Sequence, residues 1–478
     1  MTMLEKDIYD EKHCMTSSDM IMTDDPMPVQ AVFTSINMRR LQFVQSITVV
    51  GLFFLCLRFV LFRTIIPEPQ SIYYSKELLR DGSAQPDTGK RLTALEHNVL
   101  MFSLRGRIFS AQMNDITGNV TSSVLHSFSP VVDKALSRMF PYKYAKSREI
   151  NAISPAITWY KGNVVVVLRV WLNYERVFRA RLKENNTFQD NFLYTQTFNR
   201  YMQPIDNGRL LGIPVPKQYT VFTGPYDPRI LAMSNQQLLV TFPMPMNVDK
   251  IDTLHPYLWD YDESRIMKPH IQGERMARLD TNWVPLSVAG KLHYVYSFDP
   301  LRVLQCDSAA ACHFVYKEKS LSEFPFIDSL DVLRGGTSLE VYKGPYYLSV
   351  AHSSVYNSGG KREYSAHLVL LRTDKWRIIY VSDAIRIHQS ILDKIPLVRN
   401  FAIEKSFLYP VGLIIESDDS VAVGLHVNDR ESFVIRVRGL RKIFKKAIEI
   451  DLINDIKASQ SQDVRTIQNY VKESVVKS

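Results

Sequence analysis

The sequence predicts an all-β fold, either a β-propeller or a large barrel. Short runs rich in β-branched and aromatic residues follow one another from residue 96 to residue 440, such as QLLVTF (237–242), SAHLVLL (365–371) and SFVIRV (432–437). Gly, Asn or Asp turns such as YKGN and VAGK join pairs of these runs, and helical spacing dominates only near the C-terminal end. Many short antiparallel strands favour a propeller or barrel over a parallel α/β sheet, and the lack of a strict repeat disfavours a WD40-like array.

The composition is that of a folding chain with a dispersed positive charge. The 478 residues are 46% hydrophobic and 22% charged, which excludes an intrinsically disordered protein. The net charge is +9, and the densest basic segment is RGLRKIFKK (438–446), where Leu, Ile and Phe separate the charges. We interpret this segment as a strand end followed by a solvated helix face, and we expect no nucleic-acid partner.

The N-terminal region predicts a single-pass membrane protein. The apolar run from Leu41 to Phe62 has about the length that a bilayer core requires. A cleaved signal peptide is disfavoured because a long polar stretch precedes this run and no small-residue cleavage site follows it. A buried globular helix is the alternative. The predicted segments are a cytosolic tail (1–40), a transmembrane signal anchor (41–66) and a stem that contains several Pro and Gly residues (67–95).

Glycosylation sequons and cysteine spacing indicate that the body of the protein lies in an oxidising lumen. Asn119-Val120-Thr121 and Asn185-Asn186-Thr187 both follow the anchor. Cys306 and Cys312 are the only cysteines after the anchor, and their spacing suits a disulfide that closes a short loop. A zinc site would need more ligands than the neighbouring His313. We predict glycosylation at Asn119 and Asn185, a Cys306–Cys312 disulfide, and a type II protein of the Golgi or ER membrane.

Asp227 in the segment GPYDPRI (224–230) is the candidate catalytic residue. It lies between Pro225 and Pro228, and Arg229 follows. Proline fixes its own φ and pushes the preceding residue towards extended geometry, so we expect Asp227 to be extended at the entrance of the next strand. Taken alone, the segment would be an ordinary Asp-Pro turn at the head of a surface strand. The rest of the chain favours a functional role.

Polar clusters at strand entrances recur along the chain, and each is followed by a hairpin. Besides GPYDPRI, they occur in the segments SREINAISP (147–155), DTNWVPL (280–286), RGGT (334–337) and FLYPVG (407–412). In a propeller, the innermost strands bring such clusters to one central funnel. Carboxylates and amides would bind sugar hydroxyls there, and an aromatic face would pack on a sugar ring. The clusters therefore indicate a carbohydrate site.

The order of these segments resembles the five-bladed propeller family of mannoside phosphorylases (glycoside hydrolase family 130) and the related β-mannosyltransferases. That family carries a Gly-x-x-Asp-Pro-Arg strand whose Asp is the proton donor. Gly224, Asp227, Pro228 and Arg229 match it, and DTNWVPL resembles the family's next block. The resemblance spans residues 145–437.

Departures from the family pattern bear on the expected reaction. Tyr226 stands where the family has Glu, Thr281 replaces a Lys, and Tyr296-Ser297 replaces a phosphate-binding His-Arg pair. Bound phosphate needs fixed cations, so the resemblance implies a transferase rather than a phosphorylase. Four arginines could take over part of the lost phosphate clamp: Arg169, Arg229, Arg302 and Arg334.

The resemblance also implies the architecture and the site. It implies a luminal five-bladed propeller at residues 96–440 and a C-terminal helical extension at 441–478. Asp227 would be the general acid/base, and Arg229 would hold it ionised or oriented. The partners would be an activated sugar donor and a glycan acceptor, and no cofactor would be needed. The side chains that would bind sugar are Asp280, Asn282, Trp283, His352 and Tyr364.

Structural roles and other functions compete with this interpretation. Trp283 and His352 could lie in the core, and residues 334–337 could form a tight turn. Asp260-Tyr261-Asp262 could hold Mn²⁺ in a nucleotide-sugar transferase of the α/β type, although no βαβ pattern precedes it. The third possibility is a non-catalytic propeller that binds glycan or protein.

Overall fold

Antiparallel β-strands form most of the structure, which is a computed structural model. It describes residues 97–109, 114–139, 150–172, 191–215, 224–248, 251–318, 333–356, 360–397, 403, 405–456 and 464–476. All of these lie in one compact unit, residues 85–478. The predicted tail, signal anchor and stem (1–95) and the sequon at Asn185 lie outside the described residues. In the described ranges, no helix is both long and apolar enough to cross a bilayer.

In the described ranges, hydrogen bonds join the strands into four sheets, and the ten-stranded one contains two antiparallel groups, so the strands can be described as five successive groups. Two N-terminal strands, β1 (His97–Ile108) and β2 (Asn114–Ser127), join the last two of these groups. The first group is β3 (Ile150–Tyr160), β4 (Asn163–Leu172), β5 (Asn191–Phe198) and β6 (Arg209–Leu210). The second is β7 (Arg229–Ala232), β8 (Leu238–Val248), β9 (Ile251–Asp260) and β10 (Arg265–Met267).

The remaining groups follow the same antiparallel pattern. The third is β12 (Val284–Val288), β13 (Lys291–Phe298), β14 (Leu301–Cys306) and β15 (Ala311–Lys317), with β11 (His270–Ile271) parallel to β15. The fourth is β16 (Leu333–Arg334), β17 (Glu340–Lys343), β18 (Tyr346–Tyr356), β19 (Arg362–Arg372) and β20 (Arg377–Ser382). The fifth is β21 (Leu408–Ser417), β22 (Ser420–Val427) and β23 (Glu431–Arg438), to which β2 adds a fourth strand.

The five groups follow one another in a closed ring. Strand β3 packs against β7, β7 against β12, and β13 against β16. Strand β18 then packs against β21, and β21 against β3, which completes the circle. The pairing of N-terminal β2 with C-terminal β23 joins distant parts of the chain by hydrogen bonds in the fifth group.

Strand β4 shows why the apolar runs are continuous rather than alternating. Val164 and Val166 pack in a cluster with residues of the fifth group, whereas Val165 and Val167 pack against the second group. Successive side chains of a strand point to opposite faces, so β4 is buried on both sides. Full burial of each such side chain stabilises the fold by about 1.5–3 kcal/mol.

Four helices occur in the part of the chain that the structure describes. They are α1 (Ser129–Met139), α2 (Gln389–Leu392), α3 (Arg441–Ile456) and α4 (Val464–Val476). In α3, the buried Asp451 accepts hydrogen bonds from Arg372 Nη1 at 2.8 Å and from Tyr346 Oη at 2.9 Å. In α4, Ile467 and Val471 pack into the core between the third and fourth groups. The C-terminal helical pattern thus corresponds to two helices that are docked on the sheets.

Candidate active site

Asp227 lies in a strained turn immediately before β7. Its φ is +23°, so the expectation of an extended residue before Pro228 was wrong. Left-handed geometry at a residue other than glycine costs about 1–3 kcal/mol and persists where surrounding contacts impose it. The expected position at a strand entrance is confirmed, because only Pro228 separates Asp227 from β7. The side chain is 25% exposed, which leaves the carboxylate accessible to a ligand.

Two side chains of the first group hold the carboxylate of Asp227. Ser154 Oγ donates a hydrogen bond to Oδ1 at 2.8 Å, and Arg169 Nη1 donates to the same oxygen at 3.1 Å. Burial alone would raise the pKa of Asp227, but the positive charge of Arg169 and the hydrogen bond from Ser154 outweigh it. The pKa of Asp227 is therefore lowered below its usual range, and the carboxylate is ionised at neutral pH.

Arg169 is fixed by an amide and two aromatic rings. Its Nε donates to Asn191 Oδ1 at 2.9 Å. Its guanidinium carbon lies 4.2 Å from the ring centroid of Tyr226 and 4.5 Å from that of Trp171. Such cation–π contacts stabilise a buried guanidinium. Tyr226, which departs from the pattern of the resembling family, thus supplies one face of the enclosure around Arg169.

Gly224 permits the close approach of the second group to the first. Its φ is +98°, and a Cβ at this position would lie 2.1 Å from the carbonyl oxygen of Asn191. A larger residue would displace Asn191, which orients Arg169. Steric crowding therefore explains why the matched segment has a glycine at residue 224.

Arg229 does not orient Asp227, contrary to the sequence-based expectation. It is 2% exposed, and its Nε donates to the carbonyl oxygen of Gly336 at 2.6 Å. In an extended strand, residues 227 and 229 would point to the same side, but the left-handed turn at Asp227 separates their directions. Arg169 has the role that was predicted for Arg229. Arg229 instead joins the second group to the RGGT turn of the fourth.

His426 and Tyr409 of the fifth group complete the site; Tyr409 lies in the predicted polar cluster FLYPVG, but neither residue was named as a site candidate. The backbone N–H of Ser154 donates to His426 Nδ1 at 3.2 Å. The imidazole stacks on the ring of Tyr409, with 5.1 Å between centroids and 22° between planes. The two residues are cross-strand partners in β21 and β22. A polar residue in the otherwise apolar run SVAVGLHV was the available signal for His426.

The predicted sugar-binding residues His352 and Tyr364 lie beside this cluster. The rings of His352 and Tyr409 are 4.6 Å apart, and those of His352 and Tyr364 are 6.5 Å apart. Burial, followed by the charges of Arg229 and Arg334, holds the pKa of His352 well below its usual value. Its ring is therefore neutral. Its buried Nδ1 has no hydrogen-bond partner within the described part of the chain.

The RGGT segment forms a closely packed turn next to His352. Arg334 is half-buried and pairs with His352 across β16 and β18. A Cβ on Gly336 would lie 2.0 Å from the carbonyl oxygen of Val350, and one on Gly335 would lie 2.4 Å from that of Asn282. The glycines thus serve tight packing, while Arg334 remains near the cluster of aromatic and histidine rings.

Asp280 and Trp283 form a buried pair in the third group. Trp283 is 2% exposed and packs against Tyr294 in the core, so its face is not available as a platform for a sugar ring. The expectation of a sugar-binding Trp283 is corrected to a core role, because its Nε1 donates to Asp280 Oδ1 at 2.7 Å. Burial raises the pKa of Asp280 to about 6, although hydrogen bonds from Trp283 and Tyr296 oppose this shift.

Asn282 and Arg302 are the remaining candidates of the third group, and both are half-buried. The contact of the Asn282 carbonyl with Gly335 brings Asn282 to the RGGT turn and hence to the edge of the cluster around His352. Burial and then the charge of Asp280 raise the pKa of Tyr296, and the nearby charge of Arg302 opposes this shift; Tyr296 also donates to Asp280 Oδ2 at 3.4 Å. Arg302 is thus associated with the Asp280 pair rather than with Asp227.

The Asp260-Tyr261-Asp262 segment lies in a β-turn at the end of β9. Asp260 is fully buried, and its Oδ1 accepts a hydrogen bond from the backbone N–H of Glu263 at 3.0 Å. Asp262 accepts a hydrogen bond from Tyr160 Oη and pairs with Lys161. Across the described residues, no group of three or more His, Cys, Asp or Glu side chains could hold a metal ion. The carboxylates of this segment thus have structural partners.

The predicted Cys306–Cys312 disulfide is confirmed. The two residues are cross-strand partners in β14 and β15, their Cα atoms are 4.0 Å apart, and their sulfur atoms are bonded. The bond lies in the same sheet as DTNWVPL, since β13 separates β12 from β14. Asn119 is exposed on β2, as a glycan acceptor requires.

Comparisons with known proteins give distant relatives of one kind. The chain is 26% identical over 258 residues to β-mannosyltransferase 3 of Candida albicans, which is 48% of this chain and 46% of that protein. It is 32% identical over 129 residues to β-mannosyltransferase 2 of Komagataella phaffii, covering 25% of this chain and 19% of that one. The matches thus span less than half the length of these relatives. No family model matches the chain.

Solved structures with a similar course of the chain include β-1,2-mannobiose phosphorylase from Listeria innocua. It is 14% identical, with a TM-score of 0.39, and the match covers 64% of this chain and 94% of that one. The sequence matches confirm the resemblance that the segments GPYDPRI and DTNWVPL indicated: the chain is a distant relative of the β-mannosyltransferases.

Proposed function

We propose that this protein is a glycosyltransferase that transfers a mannosyl residue to a glycan, with Asp227 as its catalytic carboxylate. The observation that supports this most strongly is the setting of Asp227. The backbone of Asp227 is left-handed. Its carboxylate is partly exposed and accepts hydrogen bonds from Ser154 and Arg169 through Oδ1. Strained backbone and specific charge partners are typical of functional carboxylates. The relationship to β-mannosyltransferases supports the choice of reaction and sugar.

We further propose that the five strand groups are the blades of a five-bladed propeller, with Asp227 at the floor of its central funnel. The closed order of packing supports this arrangement: β3 packs on β7, β7 on β12, β13 on β16, β18 on β21, and β21 on β3. The residues that bond Asp227 or interact with it electrostatically come from two other groups: Ser154 and Arg169 from the first, and His426 and Tyr409 from the fifth. Such a convergence is what a site on the axis of a propeller requires.

The lowered pKa of Asp227 keeps its carboxylate ionised at neutral pH, which is the form that a general base needs in the transfer step. The acceptor hydroxyl oxygen would form a bond to the anomeric carbon of the donor while the bond from that carbon to the leaving group breaks. The proton of the hydroxyl would pass to Asp227 Oδ2 and from there to water. Because Ser154 and Arg169 both donate to Oδ1, the carboxylate stays oriented during this transfer.

The neutral ring of His352 and nearby cations suit an activated sugar donor. The buried Nδ1 of His352 would gain a hydrogen bond from a sugar hydroxyl, which removes the cost of leaving it without a partner. Arg229, Arg334 and Arg362 all act electrostatically on His352. Such a concentration of positive charge would attract a donor whose leaving group carries phosphate. Tyr364 and Asn282 would contact the glycan acceptor.

The experiment that tests this function measures mannosyl transfer from nucleoside-diphosphate mannose to mannose oligosaccharides. The full chain is purified in detergent as wild type, Asp227→Asn and Asp262→Asn. We expect the Asp227→Asn variant to lose about 10²–10⁴ of the rate, as is typical for loss of general acid/base catalysis. Asp262→Asn is the matched control and should keep the wild-type rate, whether or not Mn²⁺ is added.

A wild-type rate in a folded Asp227→Asn variant would contradict the assignment. Dependence on Mn²⁺ together with loss of activity in Asp262→Asn would favour the metal-dependent alternative. Oligosaccharide binding without any turnover would favour a non-catalytic binding module.

We also propose that the strand groups lie in the lumen of the Golgi or ER. The exposed position of Asn119 and the Cys306–Cys312 disulfide support this location. Endoglycosidase treatment should increase the mobility of the expressed protein, and Asn119→Gln should reduce the size of that shift. An unchanged mobility in both proteins, with Cys306 and Cys312 free to react as thiols, would contradict a luminal location.

A further inference from the structure

Three contacts connect Asp429 to the proposed catalytic carboxylate through His426 and Ser154. Asp429 Oδ1 lies 2.9 Å from His426 Nε2, the backbone N–H of Ser154 donates to His426 Nδ1 at 3.2 Å, and Ser154 Oγ donates to Asp227 Oδ1 at 2.8 Å. We propose that His426 and Asp429 are positioning residues that fix Ser154 and thereby orient Asp227. This inference rests on the proposed function of Asp227.

The hydrogen bonds define the tautomer of His426. Nδ1 accepts a hydrogen bond from the backbone of Ser154, so it carries no proton. In a neutral ring the proton is then on Nε2, which faces Asp429. Nε2 makes no hydrogen bond within the described residues although it lies 2.9 Å from Asp429 Oδ1, so the attraction between the ring and Asp429 is mainly electrostatic. Asp429 thus stabilises the tautomer that can accept from Ser154.

This tautomer in turn sets the direction of the Ser154 hydroxyl. Ser154 Oγ lies 3.3 Å from His426 Nδ1 and 2.8 Å from Asp227 Oδ1. Since Nδ1 already accepts from the backbone N–H, the hydroxyl proton is directed to the closer, charged oxygen of Asp227. Loss of the imidazole would free the Ser154 backbone, and with it the hydroxyl that orients the carboxylate.

Backbone strain occurs at both ends of these contacts. Ser154 has φ +55°, Asn428 +55° and Asp429 +54°, in addition to +23° at Asp227. The loop that carries Asp429 is anchored by Asn428, whose Nδ2 donates to the Ile395 carbonyl at 2.8 Å. Strain of this kind persists only where surrounding contacts impose it, and it concentrates at functional sites. The fold therefore maintains this geometry at an energetic cost.

The test compares His426→Phe with His426→Asn in the full chain. Phe keeps the stacking on Tyr409 but offers no acceptor to Ser154, whereas the amide oxygen of Asn can replace Nδ1. We expect His426→Phe to lower kcat about 10–100-fold with KM changed less than about threefold, because small misplacements of catalytic groups act on kcat. We expect His426→Asn to recover most of this loss. His367, a fully buried histidine of β19 that bonds Ser353 and Ser382, supplies the control variant His367→Phe.

A second measurement does not depend on activity. The melting temperatures of wild type, Ser154→Ala, Asp227→Asn and the double variant form a double-mutant cycle, which measures how strongly Ser154 and Asp227 depend on each other for stability. We expect this coupling in the wild-type background and its loss in the His426→Phe background. If His426→Phe does not fold, Asp429→Asn replaces it, because Asn also tolerates a left-handed backbone.

The two measurements separate the possible outcomes. Normal kcat in His426→Phe, or an equal loss in His367→Phe, would refute the positioning role while leaving the transferase function intact. If the wild type shows no transfer, the proposed function fails. The positioning role of His426 is then tested only by the stability coupling between Ser154 and Asp227. A coupling that persists without the imidazole would then overturn it.

Discussion

The hydroxyl of Ser154 donates a hydrogen bond of 2.8 Å to Asp227 Oδ1, and both residues have left-handed backbones. The bond joins the bulged first strand of one group to the turn before the first strand of the next. Neither residue could keep this conformation in an isolated segment, because each costs about 1–3 kcal/mol. The contact between the first and second strand groups therefore stabilises the backbone conformations that place Ser154 and Asp227 in the site.

The ion pair of Asp227 predicts a stability that depends on pH. A carboxyl whose pKa is lowered in the folded state contributes stability above its unfolded pKa, near 3.8, and this contribution is lost as the pH falls through the folded pKa. Asp227→Asn should lower the free energy of unfolding by about 1–3 kcal/mol at pH 7. The difference from wild type should shrink below about pH 4. Thermal melts at pH 3–7 measure this, and equal melting temperatures at pH 7 would contradict it.

Arg169 should determine the acid limb of the pH–rate profile. It lowers the pKa of Asp227, so wild-type Asp227 stays ionised from about pH 5 to 8 and contributes no acid limb there. In Arg169→Met, the pKa of Asp227 should rise and kcat should fall as the pH drops below neutrality. The exposed Arg200 provides the control Arg200→Met. Parallel profiles for all three proteins would show that Arg169 does not tune Asp227.

Asp280 should act on stability in the opposite direction. Its folded pKa is about 6, above the usual 3.8, so the native state binds more protons than the unfolded state between these values. Stability should therefore fall as the pH rises from about 4 to about 6, by up to about 3 kcal/mol. Asp280→Asn still accepts the hydrogen bond of Trp283 and should remove this fall. Urea unfolding of both forms at pH 4, 5, 6 and 7 measures the free energy of unfolding. If its dependence on pH is the same in both forms, Asp280 ionises normally.

Trp283 and His352 should respond differently to substitution. Trp283→Phe loses the bond to Asp280 in the core and should cost about 1–3 kcal/mol of stability, while kcat/KM per folded molecule stays within about twofold. His352→Ala removes a side chain beside Tyr409 and should lower kcat/KM at least tenfold, because the sugar loses a hydrogen bond to a buried group. Unfolding curves and kinetics on the same preparations test both. A raised KM in a stable Trp283→Phe variant would restore the sugar-platform interpretation.

The sequence determined the strand-rich architecture and the position of Asp227. Runs such as VVVVL (164–168) are continuously apolar because both faces of β4 are buried, and such runs can be recognised without a structure. The segment GPYDPRI placed a carboxylate at a strand entrance, and the spacing of Cys306 and Cys312 indicated their disulfide. These features depend on local pattern, which a single sequence contains.

The tertiary structure decided which residues surround Asp227. Arg229 is only two positions from Asp227 in sequence yet donates to Gly336, whereas Arg169, Ser154 and His426 reach the site from distant segments. Trp283 lies in a polar segment but is buried because it packs on Tyr294 and bonds Asp280. Left-handed turns at Ser154 and Asp227 redirect the side chains, and only contacts between strand groups stabilise such turns. Those contacts join segments that are far apart in sequence, so the partners of Asp227 can be identified only from the folded chain.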